Sequence, residues 1–157
     1  MSELNRFENR LARGEISGVL PVFQTPFDER GDVDFDALRR EITWLLDEEA
    51  DGIVFAMVSE ILRLSSYERD TVAAAACEYV GDRGTTVISV GAESTKVALT
   101  HAQHAQAVGA SAVMATAPAL HRADDDELLS YFMAIAERVD VPLIVQDASG
   151  YGRAAVN

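Results

Sequence analysis

The chain is poor in sulfur, proline and lysine. Its one cysteine, Cys77, ends the run Thr71-Val-Ala-Ala-Ala-Ala-Cys77. A lone cysteine excludes an internal disulfide framework. A small residue among alanines fits a buried helix position rather than a nucleophile. No apolar run approaches the ~18 residues of a membrane helix. Met1 to Arg13 carries charges where a secretory signal needs an apolar stretch. The expectation is a soluble, cytoplasmic protein with no membrane partner. Positive charge is scarce: 13 Lys and Arg stand against 26 Asp and Glu, for a net charge of -13. With no basic patch, nucleic acid and anionic lipid surfaces are excluded as partners. Of the basic residues only Lys96 is a lysine. No low-complexity linker divides the chain. The expected organisation is an N-terminal arm over 1–17 and one domain over 18–157.

What is present is ordinary globular material. The 157 residues are 48% hydrophobic, enough to bury a sizeable core. Leu4, Phe7 and Leu11 fall at helical spacing in the arm. Short apolar runs then alternate with amphipathic ones. Strands are expected near 19–25, 53–57, 86–90, 112–117 and 142–146. Pro21 sits awkwardly in the first, because it cannot donate a ladder hydrogen bond. Asp34 suits the N-cap of a helix over about 35–49, with Leu38, Ile42, Leu45 and Leu46 on one face. Ser65 with Glu68, and Asp124 with Glu127, have capping-box spacing and start the second and fourth helices. The second helix is expected to bury Val72, Ala76, Tyr79 and Val80, and the fourth Leu128, Phe132, Ile135 and Val139. Ser94 is placed to cap the third. Repeated strand–helix units mean an α/β fold with a parallel sheet, its strands apolar because both faces are covered.

Several constellations carry little chemistry. Gly91-Ala-Glu-Ser-Thr95 has one glycine, and Glu93 would repel a phosphate. His101 and His104 lie three apart on a helix with no third ligand at a metal-site spacing, so no metal is expected. Asp124 to Glu127 fits a negatively charged helix start. The strand-end loops are better candidates. Thr25, Val58, Ser59, Glu60 and Gln146 with Asp147 stand at or just past the carboxyl ends of expected strands. In parallel α/β proteins such ends converge on the ligand-binding rim. Spacing alone leaves open the alternative that they only close turns and cap helices.

The order of these residues resembles a known family. Gly18-Val-Leu-Pro-Val-Phe-Gln-Thr-Pro-Phe27, Gly31-x-Val-Asp34, Asp51-Gly-Ile-Val-Phe55, Glu60 and Leu64-Ser65-x-x-Glu68-Arg69 look like the dihydrodipicolinate synthase and N-acetylneuraminate lyase family. Gly91-Ala-x-Ser-Thr95, Ala105-x-x-x-Gly109-Ala110 and Val141-Pro-Leu-Ile-Val145 extend the match. The resemblance implies a (β/α)₈ barrel, an aldolase-type lyase or dehydratase acting on a 2-keto acid such as pyruvate, no separate cofactor, and a homo-oligomer. It also implies a Schiff-base lysine on the sixth strand, a Gly-Thr-Thr-Gly-Glu loop that holds the keto-acid carboxylate, and a tyrosine on the fifth strand. Here the loop reads Ala56-Met-Val-Ser-Glu60, and Gln146 takes the tyrosine position. The tyrosine pair after the fourth strand falls on Ala119 and Leu120. A full barrel takes ~250 residues. The expectation is therefore a barrel truncated to about five βα units, with no catalytic residue of its own. Its substrate-binding residues would be Thr25, Val58, Ser59, Glu60 and Gln146. Lys96, near the start of a helix, is off the rim. The alternative is a non-catalytic partial barrel that self-associates or binds a small anion at the rim.

Overall fold

Parallel strands run side by side in sequence order, the first three each followed by a helix. The structure, a computed structural model, describes residues 16–120 and 123–148. The expected arm helix within 1–15 and the tail beyond 148 lie outside these residues. The elements are α1 (Phe35–Asp47), β1 (Gly52–Phe55), α2 (Ser66–Val80), β2 (Thr85–Ser89), α3 (Thr95–Ala107), β3 (Ala112–Thr116), α4 (Asp125–Arg138) and β4 (Leu143–Gln146). The sheet order is β1-β2-β3-β4, all parallel. Val54 lies opposite Val87, Ser89 opposite Met114, and Thr116 opposite Gln146.

The expected strand at 19–25 is corrected. It is an extended segment beside β1 with one parallel bridge, Val22 to Val54. The Pro21 carbonyl accepts from the Val54 N–H at 2.9 Å, and the Phe23 N–H donates to the Val54 carbonyl at 3.3 Å. Pro21 has no N–H to return, so the ladder is interrupted there. The segment's start is fixed by Gly18, at φ +89°, where a β-carbon would collide with the Asp51 carboxylate. That carboxylate accepts from the Val19 N–H at 2.7 Å.

The helix starts follow their cap chemistry. Asp34 accepts from the Ala37 N–H at the start of α1. Ser65 with Glu68, and Asp124 with Glu127, form reciprocal capping boxes. Ser94 occupies the N-cap position of α3 without a side-chain cap bond. Two apolar layers result. Between sheet and helices, Ile53, Phe55, Ile88, Val113 and Ala115 meet Leu38, Ile42, Val72, Ala76, Ala102 and Ile135. Phe23 stacks on Phe55 at 5.3 Å. On the opposite, inner face lie Val54, Ala56, Val87 and Ala112, with Leu20, Met114 and Ile144 against them. On α4 the deeply buried residues are Tyr131 and Ile135, whereas Leu128 and Phe132 are half-buried. Among the described residues no helix is long and apolar enough to cross a membrane.

Candidate active-site rim

β1 runs into Ala56 and then a single 3₁₀ turn, Met57–Ser59. Glu60 closes it in the left-handed region, φ 65°. The turn is tied to the first segment. The Ser59 hydroxyl donates to the Phe23 carbonyl at 2.5 Å and accepts from the Ala56 N–H at 3.3 Å. The Thr25 hydroxyl donates to the Ser59 carbonyl at 2.6 Å. Ser59 is fully buried and Thr25 nearly so. Both hydroxyl hydrogens therefore point at backbone carbonyls. Val58 is exposed on the same turn, and Glu60 pairs with Arg63 at 2.8 Å on the surface.

Gln146 ends β4, at the same end of the parallel sheet as Ser59 but separated from it by β2 and β3. Its Oε1 is buried and has no hydrogen-bond partner. The same is true of the Ser89 hydroxyl. Lys96 lies in the first turn of α3, exposed to solvent and outside the strand ends.

The backbone just past β2 is held by two residues that sequence reasoning passed over. Arg69, on α2, is 7% exposed, and its Nη2 donates to the carbonyls of Ser89 and Gly91 at 2.9 Å each. Burial pushes this guanidinium below its ordinary pKa, against the opposing pull of Asp70 and then Tyr131. Tyr131 exchanges hydrogen bonds with both the N–H and the carbonyl of Ala92, at 3.0 and 3.1 Å. Burial raises its phenol pKa. Arg69 could have been found by spacing: with Val72, Ala73 and Ala76 it makes an i, i+3, i+4, i+7 face.

The histidines serve the α2–α3 seam. His101 Nδ1 lies 2.7 Å from an Asp70 carboxylate oxygen, and His104 Nε2 donates to the Asp70 carbonyl at 2.8 Å. The Glu93 carboxylate accepts from the N–H groups of Ala119 and Leu120 at 2.8 and 3.0 Å, binding one strand-end loop to the next. A cleft of about 520 Å³ lies beside it, lined by Glu93, Thr95, Pro118, Asp124, Glu127 and Tyr131 among others. None of Thr25, Val58, Ser59, Glu60 or Gln146 lines this cleft. Its capping carboxylates are already engaged with backbone N–H groups. The better site candidate is the inner end of the sheet.

Sequential parallel strands, helices on one face and strand-end polar groups define part of a parallel β/α barrel. A sequence model of the Dihydrodipicolinate synthetase family matches residues 15–151, and the chain belongs to that family. It is 28% identical over 141 residues to the L-2-keto-3-deoxyarabonate dehydratase of Azospirillum brasilense, covering 87% of this chain and 46% of that one. It is 32% identical over 136 residues to the 4-hydroxy-tetrahydrodipicolinate synthase of Bartonella bacilliformis, covering 86% and 46%. Among solved structures it resembles YagE of Escherichia coli K12, a prophage protein of the same family in complex with pyruvate. There the TM-score is 0.82 and the identity 26%, over 84% of this chain and 45% of that one. The chain thus spans about half the length of the relatives it matches.

Proposed function

We propose that this chain supplies the keto-acid rim of a lyase or dehydratase that works through a Schiff base, with pyruvate or a related 2-keto acid as substrate. The observation that supports this most is the pinned turn at the carboxyl end of β1 in a chain of this family. In this reading Thr25 and Ser59 fix the turn, and Val58, Ser59 and Glu60 present it to the substrate carboxylate. Gln146 reaches the ligand from β4. An amide does not titrate, so Gln146 orients rather than shuttles protons. The resemblance calls for an amine on a strand, and Lys96 is an exposed helix residue. The Schiff-base lysine then comes from outside these 157 residues, and the chain alone binds without turning over. Composition alone supports a cytoplasmic setting.

Self-association accompanies this reading. Leu129 and Met133 on α4 and Val145 on β4 are 62%, 47% and 57% exposed, apolar groups that a second chain could cover.

The test is titration of pyruvate into the isotopically labelled chain, followed by amide chemical shifts. Saturable shifts at Val58 to Glu60 and at Gln146 are expected. No saturable shift at these amides would overturn the proposal.

A further inference from the structure

We infer that a second copy of this chain closes the sheet edge to edge: β4 of one copy pairs in parallel with the 19–23 segment of the other, and the partner's Gln146 joins the rim beside Thr25 and Ser59. The inference deepens the reading above by naming the edges that meet, and it rests on that reading only for what the shared rim binds.

Two open edges carry it. Hydrogen-bonding groups alternate along a strand, so every second residue faces away from its neighbour. In the first segment the Val19 and Pro21 carbonyls and the Phe23 N–H face β1. Leu20 and Val22 therefore turn their N–H and C=O groups outward. The outward run stops at Gln24, whose N–H is taken by the Glu41 carboxylate at 2.9 Å. At the other edge the Pro142 carbonyl accepts from the Val113 N–H, and Leu143 lies opposite Val113. Ile144 and Gln146 thus face β3, while Leu143 and Val145 face outward. Among the described residues neither edge has a strand beside it. Neither is protected in the usual way, by charge or by an outward proline. In a chain that is 25% charged, 19–23 and 142–146 contain no charged residue. Pro21 and Pro142 both face the strand already paired with them.

The edges match each other. Leu20 and Ile144 both belong to the inner cluster, and Val22 is bridged to Val54 of that cluster. Setting Leu20 against the partner's Ile144 keeps inner residues inside. The Leu20 N–H then donates to the carbonyl of the partner's Leu143, and the N–H of the partner's Val145 donates to the Leu20 carbonyl. The Val22 N–H donates to the carbonyl of the partner's Val145. This register is offset by about four residues from the row Val22, Val54, Val87, Ala112. Two such contacts give about eight, a stagger of the size that barrel closure requires. A two-fold axis along the barrel makes both contacts at once and leaves every strand parallel. Val22 then lies opposite the partner's Gln146. One segment separates that residue from the Ser59 turn, whereas within a chain β2 and β3 lie between them.

The test uses the full 157-residue chain. Sedimentation should find a dimer. Val145→Pro removes an outward N–H and no bond to β3, and should raise the dimer dissociation constant at least about tenfold, since its acceptor is left unpaired. Val145→Thr keeps the N–H and should leave the constant within about twofold of the parent. In a mixture of copies labelled with different isotopes, the Leu20 and Val22 amides should show nuclear Overhauser contacts to Ile144 and Val145 of the other copy. That measurement decides the matter even if the proline variant does not fold. A monomeric parent chain, a dimer as tight in folded Val145→Pro as in the parent, or a dimer without those contacts would overturn the pairing. Pyruvate titration separates the two readings. A monomer with saturable shifts at Val58 to Glu60 overturns the pairing and leaves the keto-acid rim standing. The expected contacts between copies with no pyruvate shifts overturn the rim and leave the pairing standing.

Discussion

Thr25 and Ser59, far apart in the chain, are joined by a 2.6 Å hydrogen bond from the Thr25 hydroxyl to the Ser59 carbonyl. The bond fastens the turn after β1 to the segment that runs beside β1. The Ser59 hydroxyl answers it by donating to the Phe23 carbonyl. The rim is thus braced by hydroxyls that face inward.

Removing that brace has a measurable cost. Ser59→Ala leaves the buried Phe23 carbonyl and Ala56 N–H without their partner, a penalty of about 1–3 kcal/mol. Chemical denaturation should show the loss, and amide exchange should quicken at Val58 and Glu60. An unchanged midpoint with unchanged exchange would show that the hydroxyl braces nothing.

Arg69 should matter as much. Its Nη2 serves two carbonyls at the end of β2. Bonds to a charged donor are worth about 1.5–3 kcal/mol, so Arg69→Ala should destabilise by at least that amount. Amide exchange should rise over Ser89 to Ala92. A wild-type denaturation midpoint for the variant would contradict this role.

The α2–α3 seam sets a pH dependence. Burial, and next the Arg69 charge, lower the His101 pKa from its ordinary value of 6.5, while the Asp70 contact opposes them. The unfolded chain then takes up a proton at a pH where the folded chain does not. The contribution is fully present above about 6.5 and is lost as pH falls below it toward the folded value. Asp28 and Glu68, both lowered from 3.8 and 4.5 by hydrogen bonds, act only in a more acidic range. Thermal midpoints should therefore fall between pH 7 and 5, and His101→Gln should flatten that fall. A variant with the wild-type slope would assign the effect elsewhere.

The exposed apolar residues of α4 and β4 and the unpaired side of β4 predict association. Among the described residues β4 pairs only with β3, and an open strand edge beside exposed apolar residues recruits other chains. Analytical ultracentrifugation should find the 157-residue chain above monomer mass, and Val145→Lys should shift it toward monomer. A monomer at high concentration for the parent chain would remove this part of the account.

Much of this architecture was legible because its causes are local. Ser65 with Glu68 and Asp124 with Glu127 start helices by hydrogen bonds within four residues. Strands β1 to β4 read as short apolar runs, and β1 and β2 are buried on both faces. The misreadings come from effects that spacing does not carry. Pro21 let the 19–25 segment lie beside β1 but denied it a full ladder. On α4 the helix is rotated so that Tyr131 reaches Ala92, which leaves Leu128 and Phe132 only half-buried. Arg69 is charged and was passed over, yet desolvation is offset by the carbonyls it meets across the fold. Thr25 and Ser59 were placed at one rim from their strand-end positions, but which way their hydroxyls point is decided by a contact 34 residues away in sequence.

The central claim is that these residues bind a keto acid without forming the covalent adduct. Incubating the chain with pyruvate and sodium borohydride, then measuring intact mass, tests it directly. The account predicts an unmodified mass at pyruvate concentrations that saturate the rim amides. A stoichiometric pyruvyl adduct mapped to Lys96 would contradict it.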